Sequence, residues 1–153
     1  MSRNRASYAI LWGGLIAGLI DITYAVGFSA TRGVPPMRIL QSVASGLLGS
    51  SAYQGGTTTA TLGFLLHFVL MMIIAAIFYL ASTRLRFLVD RPIWWGALYG
   101  FLVYWVMNLV VLPLSAFPGQ FKIVPILLIT SLIVHAFGIG VPIALASRKA
   151  QAV

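Results

Sequence analysis

The chain has 153 residues, of which 60% are hydrophobic and only 8% are charged. Soluble domains are about 45–50% apolar and about 25% charged, so this composition excludes an ordinary water-soluble protein and predicts that lipid surrounds the fold. The net charge of +8 does not indicate nucleic-acid binding, because the basic residues lie at the chain ends and in short connections, and the lack of cysteine excludes disulfides and thiolate sites.

Four apolar runs follow one another along the chain, at residues 8–28, 60–81, 93–113 and 124–146. Each is close to the ~20 residues that cross the hydrocarbon core as a helix, the form in which a spanning backbone satisfies its own hydrogen bonds. The short second and third connections predict antiparallel neighbours, as in an up-down-up-down bundle. The sequence therefore predicts an all-α membrane protein, one domain over residues 1–153 with four transmembrane helices.

The first connection is longer and contains a short helix predicted at residues 37–48. Five apolar residues fall on one face of that helix, which makes it amphipathic and too short to span: Leu40, Val43, Ala44, Leu47 and Leu48. One interpretation is a helix lying flat on the outer surface. The other is a re-entrant segment, in which the backbone of Gln54, Gly55, Gly56 and Thr57 lines a water-filled path.

The basic residues predict the orientation of the chain. Seven fall on the side of the chain ends, namely Arg3, Arg5, Arg84, Arg86, Arg91, Arg148 and Lys149, and three fall on the other side, namely Arg32, Arg38 and Lys122. Cytoplasmic loops carry the excess of Lys and Arg. We therefore expect both termini in the cytoplasm of a multi-pass protein.

One strongly polar side chain lies inside each predicted span: Asp21, His67, Asn108 and His135. By helical rise the first three come out about 20 Å from the cytoplasmic boundary, and His135 about 14 Å. Ionisable groups at membrane depth usually mark ion, proton or substrate paths, so the four residues, with Tyr24 and Tyr104, predict a buried binding or proton-relay site. The alternative is a purely structural role, in which these side chains hydrogen-bond one helix to another.

Glycines recur at four-residue spacing in the first and third spans. Gly14 and Gly18 form one such pair, and Gly96 and Gly100 form the other. Small residues mark positions where membrane helices approach closely. These pairs are candidates for helix packing within the chain or for dimer faces.

Three functions remain open on these residues. The leading one is a small homo-oligomeric transporter or channel for protons, cations or a small solute, since imidazole titrates near neutral pH. The second is a non-catalytic accessory subunit of a larger membrane complex. The third is an intramembrane enzyme acting on lipid, although only a base is apparent among the groups that catalysis requires, so no catalytic residue is predicted.

No cofactor is expected. His67 and His135 leave a metal or a haem open as alternatives, but no helix supplies a pair of ligands one turn apart, and the depths of the two imidazoles differ by about 6 Å. The equal depths of Asp21 and His67 predict instead that these two pair with each other. A protonated imidazole would favour the ionised carboxylate, which is otherwise disfavoured by desolvation.

Several strings in the chain resemble a group of short, uncharacterised bacterial inner-membrane proteins that are distantly similar to the YagU-like family. They are GLIAGLIDITYA in the first span, GVPPMRILQSVASGLLG and AYQGG in the first connection, LHF in the second span, WWGALYG in the third, and GVPIALASR after His135 in the fourth. The resemblance covers nearly the whole chain, although YagU-like members are longer and have a larger first loop. It implies a location in the bacterial inner membrane and carries no established chemistry.

Overall fold

A computed structural model describes residues 3–120 and 123–152, and every regular element in that part of the chain is helical. In chain order the helices are α1 (Arg3–Ala30), α2 (Pro36–Leu48), α3 (Gly56–Arg84), the one-turn α4 (Phe87–Asp90), α5 (Pro92–Leu114) and α6 (Pro125–Gln151), with a 3₁₀ segment at Gly49–Gln54. Four of them, α1, α3, α5 and α6, are long and apolar enough to cross a membrane, which confirms that prediction. Lys122, counted above among the outer basic residues, lies outside the described residues.

Prolines and one glycine set where these helices begin and end. Pro36, Pro92 and Pro125 each stand in a first helical turn, where the missing N–H costs nothing. Gly49 ends α2 with φ +62°, a left-handed conformation that glycine adopts without a steric penalty. The helices α1, α3 and α6 are longer than the predicted spans, because residues outside the apolar runs continue them, by five residues at the start of α1 and by five at the end of α6.

Two of the spanning helices contain wider π-helical turns, at Met107–Val111 in α5 and at Val134–Gly140 in α6. Each turn is followed by a proline, Pro113 and Pro142, whose missing N–H leaves one carbonyl in the preceding turn without its usual partner. A π turn is one way in which a helix accommodates such an interruption, and π turns are frequent at functional sites. Asn108 and His135 lie in these two turns.

Glycines allow the spanning helices to approach closely. Gly14 lies against Met71 and Met72 of α3, and Gly18 lies against Phe68 one turn earlier in the same helix. In α5, Gly96 lies against the Gly140 carbonyl, and Gly100 lies against the His135 carbonyl. All four glycines therefore contact helices of their own chain. The half of the bundle nearer the chain ends is filled by a core that includes Ala17, Ala75, Phe78, Ile139 and Ile143.

Helix α2 packs on a side that includes polar residues. Gln41 and Ser45 are 2% and 0% exposed and lie, with Ala44, on the buried side, whereas Leu47 is 64% exposed. The polar groups can be buried because they find partners: the Gln41 Nε2 donates to the Gly56 carbonyl at 3.0 Å, and the Ser45 hydroxyl donates within its own helix. Of the predicted apolar face, Ala44 is therefore buried while Leu47 points away from the protein.

A close backbone contact joins α2 to α3. Gly63 lies against the carbonyl of Leu40, where any side chain would collide with the backbone of α2. At its other end, α2 accepts a hydrogen bond at the Gly46 carbonyl from the Ala116 N–H, 2.9 Å, in the segment that follows α5. Helix α2 therefore lies across one end of the bundle, between α3 and the end of α5.

Candidate functional site

Two cavities lie beneath α2, in the half of the bundle where α1 ends and α6 begins. The smaller is about 280 Å³ and the larger about 500 Å³. Both are lined by Asp21, Ser42, Leu112, Phe117 and His135, so these residues form a shared wall. The larger cavity also reaches the ends of the helices, because residues of the loop segments around α1 and α6 contribute to its lining.

The carboxylate of Asp21 lies in the shared wall next to an imidazole. Its Oδ1 is 3.9 Å from the Nδ1 of His135, and the two side chains are 16% and 15% exposed. That distance is too long for a hydrogen bond, so the contact is electrostatic when the imidazole is protonated. Within the described part of the chain, the Asp21 carboxylate accepts no hydrogen bond, which leaves it free to bind a species that enters either cavity.

The His135 ring is held by its own helix and by α5. Its Nδ1 lies 2.9 Å from the Ser131 carbonyl, and because a carbonyl only accepts, Nδ1 carries the proton of this bond. The edge of the ring meets Tyr104, with ring centroids 5.1 Å apart. These contacts fix the ring, leaving Nε2 as the nitrogen that can exchange a proton.

His67 is buried, at 6% exposure, and lines the smaller cavity. Its Nε2 donates to the Gly18 carbonyl at 2.9 Å, so this imidazole links α3 to α1 through the backbone. The imidazole beside Asp21 is therefore that of His135, and the predicted pairing of Asp21 with His67 is wrong.

The wrong pairing follows from the predicted end of the fourth span. The apolar run ends at residue 146, which puts His135 nearer the cytoplasmic boundary than Asp21, but α6 continues to Gln151. Measured from the other end of each helix, Asp21 lies about 14 Å before the end of α1, and His135 lies about 15 Å after the start of α6. The two residues are therefore at the same depth.

The remaining predicted polar residues line the larger cavity. The Tyr24 hydroxyl is 2.6 Å from the Thr130 Oγ1 and 3.2 Å from the Ser131 Oγ, which links α1 to α6 above the Asp21–His135 pair. Asn108 donates from Nδ2 to the Tyr104 carbonyl at 2.8 Å, a bond within α5 that leaves its side-chain oxygen to the cavity.

The other candidate positions lie elsewhere. Gln54, Gly55, Gly56 and Thr57 are exposed at the start of α3 and line neither cavity. Among the described residues, no group of three or more His, Asp or Glu side chains is arranged to hold a metal ion. Gly100 contributes indirectly, since its contact with the His135 carbonyl brings α5 against the π turn that carries His135.

Part of the cavity lining was not predicted from the sequence. Ser42 enters the shared wall from α2, and Arg32 lines the larger cavity. No periodicity within the spanning helices could have found Ser42, because it lies on α2, whose orientation relative to the bundle was not predicted. Pro113 and Pro142 were the available signs of the irregular turns at Asn108 and His135.

Comparisons of the chain with protein-family models, with curated proteins and with solved structures find no match.

Proposed function

We propose that this chain is a small homo-oligomeric transporter or channel of the bacterial inner membrane, and that the Asp21–His135 pair binds or relays the proton, cation or small solute that it carries. The observation that carries the proposal is the free carboxylate of Asp21 in the wall shared by two cavities. A carboxylate at membrane depth without a hydrogen bond is costly as a structural group, and such residues usually mark transport paths.

An up-down-up-down arrangement of α1, α3, α5 and α6 is supported by the order of the glycine contacts. Along α1, Gly14 and then Gly18 meet successively earlier residues of α3. Along α5, Gly96 and then Gly100 meet successively earlier residues of α6, Gly140 and then His135. Antiparallel neighbours give these sequences of contacts, and the excess of basic residues at the chain ends favours cytoplasmic termini.

One part of the re-entrant interpretation, a short helix in contact with lipid, is supported by exposed apolar side chains of α2, although Gln54, Gly55, Gly56 and Thr57 line neither cavity. Leu47 is 64% exposed, and Met37 and Leu48, near the two ends of the helix, are 41% and 42% exposed, while Gln41 bonds to the start of α3. Such a helix is stable where lipid, rather than water, contacts its outer side. We propose that α2 lies within the outer leaflet and covers the cavities.

The smaller cavity ends at the packed core nearer the chain ends, at residues such as Ile74. A continuous path through one protomer in this conformation would have to cross that core. We therefore propose that transport proceeds through a change of conformation or along a contact between protomers.

The competing idea of an accessory subunit drew on the small-residue stripes as docking faces for a larger complex. Gly14, Gly18, Gly96 and Gly100 are occupied by helices of the same chain, so these four positions offer no free face to another subunit. The site geometry thus favours an activity of the chain's own.

The proposal is tested by flux into proteoliposomes that contain the purified protein. Asp21→Asn should lower the flux of protons or monovalent cations at least about tenfold, because the amide keeps the shape of the side chain and cannot carry its charge. Asp90→Asn is the matched control, since Asp90 is the only other acidic residue and lies exposed in α4. Equal flux in the two variants would remove the Asp21 site from the mechanism, and a wild-type protein without such flux would refute transport of a proton or simple cation.

A further inference from the structure

A groove runs between α3 and α5 on the outside of the bundle. Its volume is about 290 Å³ and its walls are apolar side chains, with Ile73, Ile77 and Val106 at its rims. These rim residues are 49%, 54% and 51% exposed, so the groove opens on the helix surface that faces lipid in a spanning bundle. Hydrocarbon chains of the bilayer therefore have direct access to it.

The groove adjoins the smaller cavity. Five of its wall residues also line that cavity: Leu70, Ile74, Val103, Met107 and Val111. The lining of the same cavity includes Asp21, His67 and His135. An apolar surface that opens to the bilayer thus shares a wall with the cavity that holds a carboxylate at membrane depth.

One end of the groove is bounded by a hydrogen bond between the two helices. The Tyr99 hydroxyl donates to the Ile74 carbonyl at 2.7 Å, and the Tyr99 ring lies in the groove wall. The bond ties α3 to α5 on the side nearer the chain ends. A chain lying in the groove is therefore directed toward Asp21 and away from that end.

Charge determines the head group that fits. Among the described residues that line the smaller cavity, Asp21 is the only Asp, Glu, Lys or Arg, so an ionised site there is complementary to a cation. A carboxylate binds an ammonium through charge-assisted hydrogen bonds, which are stronger than bonds to a neutral hydroxyl. The apolar groove supplies the matching surface for a hydrocarbon tail.

We propose that the site takes a single-chain amphiphile with an amine head group, which enters from the bilayer between α3 and α5 and places its ammonium at Asp21. The inference rests on the proposed function in that it uses the same carboxylate and names the class of cation. The tail lies along Leu70 and Val103, and the ammonium lies at the wall between the two cavities.

The test uses the intact protein in nanodiscs and a dodecylamine that carries a diazirine near the end of its chain. Irradiation should label groove residues of α3 and α5 in a saturable way, as located by mass spectrometry of the peptides. Unlabelled dodecylamine should compete at least about tenfold better than dodecanol. Asp21→Asn should remove most of that difference, because the amide retains no charge for the ammonium.

Two valine variants distinguish labelling that depends on binding in the groove from labelling by general contact with lipid. Val106→Trp fills the rim and should lower labelling at least about tenfold, whereas Val110→Trp, at a position that is 48% exposed and outside this groove and both cavities, should leave labelling unchanged. Equal competition by the amine and the alcohol would overturn the proposal, as would labelling indifferent to both Asp21→Asn and Val106→Trp. If dodecanoate competes more strongly than dodecylamine, the head group binds at the imidazoles, and the proposal of an amine head group is refuted.

The outcomes also separate this inference from the proposed function. Flux that depends on Asp21, without saturable labelling, refutes the amphiphile alone. Saturable labelling that depends on Asp21, without flux, refutes transport alone. Failure of both measurements removes Asp21 as a ligand-binding group.

Discussion

Replacing Gly100 by alanine should destabilise the protein and disturb the site. The three atoms nearest to an added methyl group all belong to the α6 backbone, the carbonyl oxygen and carbon of His135 and the Cα of Ala136, so the methyl group can be accommodated only if α5 and α6 separate. Overpacking of this kind destabilises a fold by about 1–3 kcal/mol or more. The higher helix propensity of alanine offsets at most about 1 kcal/mol of that loss. We therefore expect a net loss of about 1–2 kcal/mol.

The matched control for this variant is Gly27→Ala in α1, where an added methyl group meets no atom within 4 Å. That change should be neutral or stabilising by up to about 1 kcal/mol, because alanine loses less backbone entropy than glycine on folding and meets no steric conflict at this position. Unfolding of both variants in mixed micelles measures the difference. If the Gly100→Ala protein is as stable as the Gly27→Ala protein, α5 does not approach α6 closely at His135. The close contact at Gly100 would then not be what positions His135.

Two further substitutions test contacts at the edges of the site. Tyr24→Phe removes the hydroxyl that joins α1 to Thr130, and we expect a loss of about 1 kcal/mol in unfolding free energy; an unchanged value would show that this contact is not made. Gln41→Leu removes the bond to the Gly56 carbonyl on the buried side of α2, so amide exchange in α2 should rise while exchange in α1 stays the same. Exchange unchanged in α2 would contradict the inward orientation of its polar face.

The spanning helices could be predicted from the sequence because hydropathy over about 20 residues is a direct consequence of bilayer thickness. The four polar side chains singled out within the spans, Asp21, His67, Asn108 and His135, each line at least one of the two cavities. The two glycine pairs indicated which helix faces pack against other helices. Polar side chains on those faces therefore point into the interior of the bundle.

The pairing within the site could not be predicted in the same way. Helical rise gives depth to within about one turn, and that resolution depends on where each helix is taken to end. The extension of α6 to Gln151 moved His135 to the depth of Asp21, and the Gly18 carbonyl took the bond of His67. A backbone acceptor cannot be anticipated from side-chain patterns.

The orientation of α2 was also beyond the sequence. Its helical period and amphipathic pattern were evident, and in water the apolar face would pack inward. In lipid that preference would be lost, because apolar side chains gain nothing by leaving a hydrocarbon solvent, whereas Gln41 gains a hydrogen bond to the Gly56 carbonyl by facing the protein. A pattern of polarity alone does not say which solvent surrounds a short helix.

Accessibility of position 21 from the outer side of the membrane tests the central claim most directly. The chain contains no cysteine, so single variants report one position each when a membrane-impermeant cationic thiol reagent is added to intact cells. Gln120→Cys, in the lining of the larger cavity, and Asp21→Cys should both react, while Ala75→Cys, at 1% exposure in the core, should not. An Asp21→Cys protein that is as protected as Ala75→Cys, or that reacts only in inside-out vesicles, would contradict a site open to the outer side.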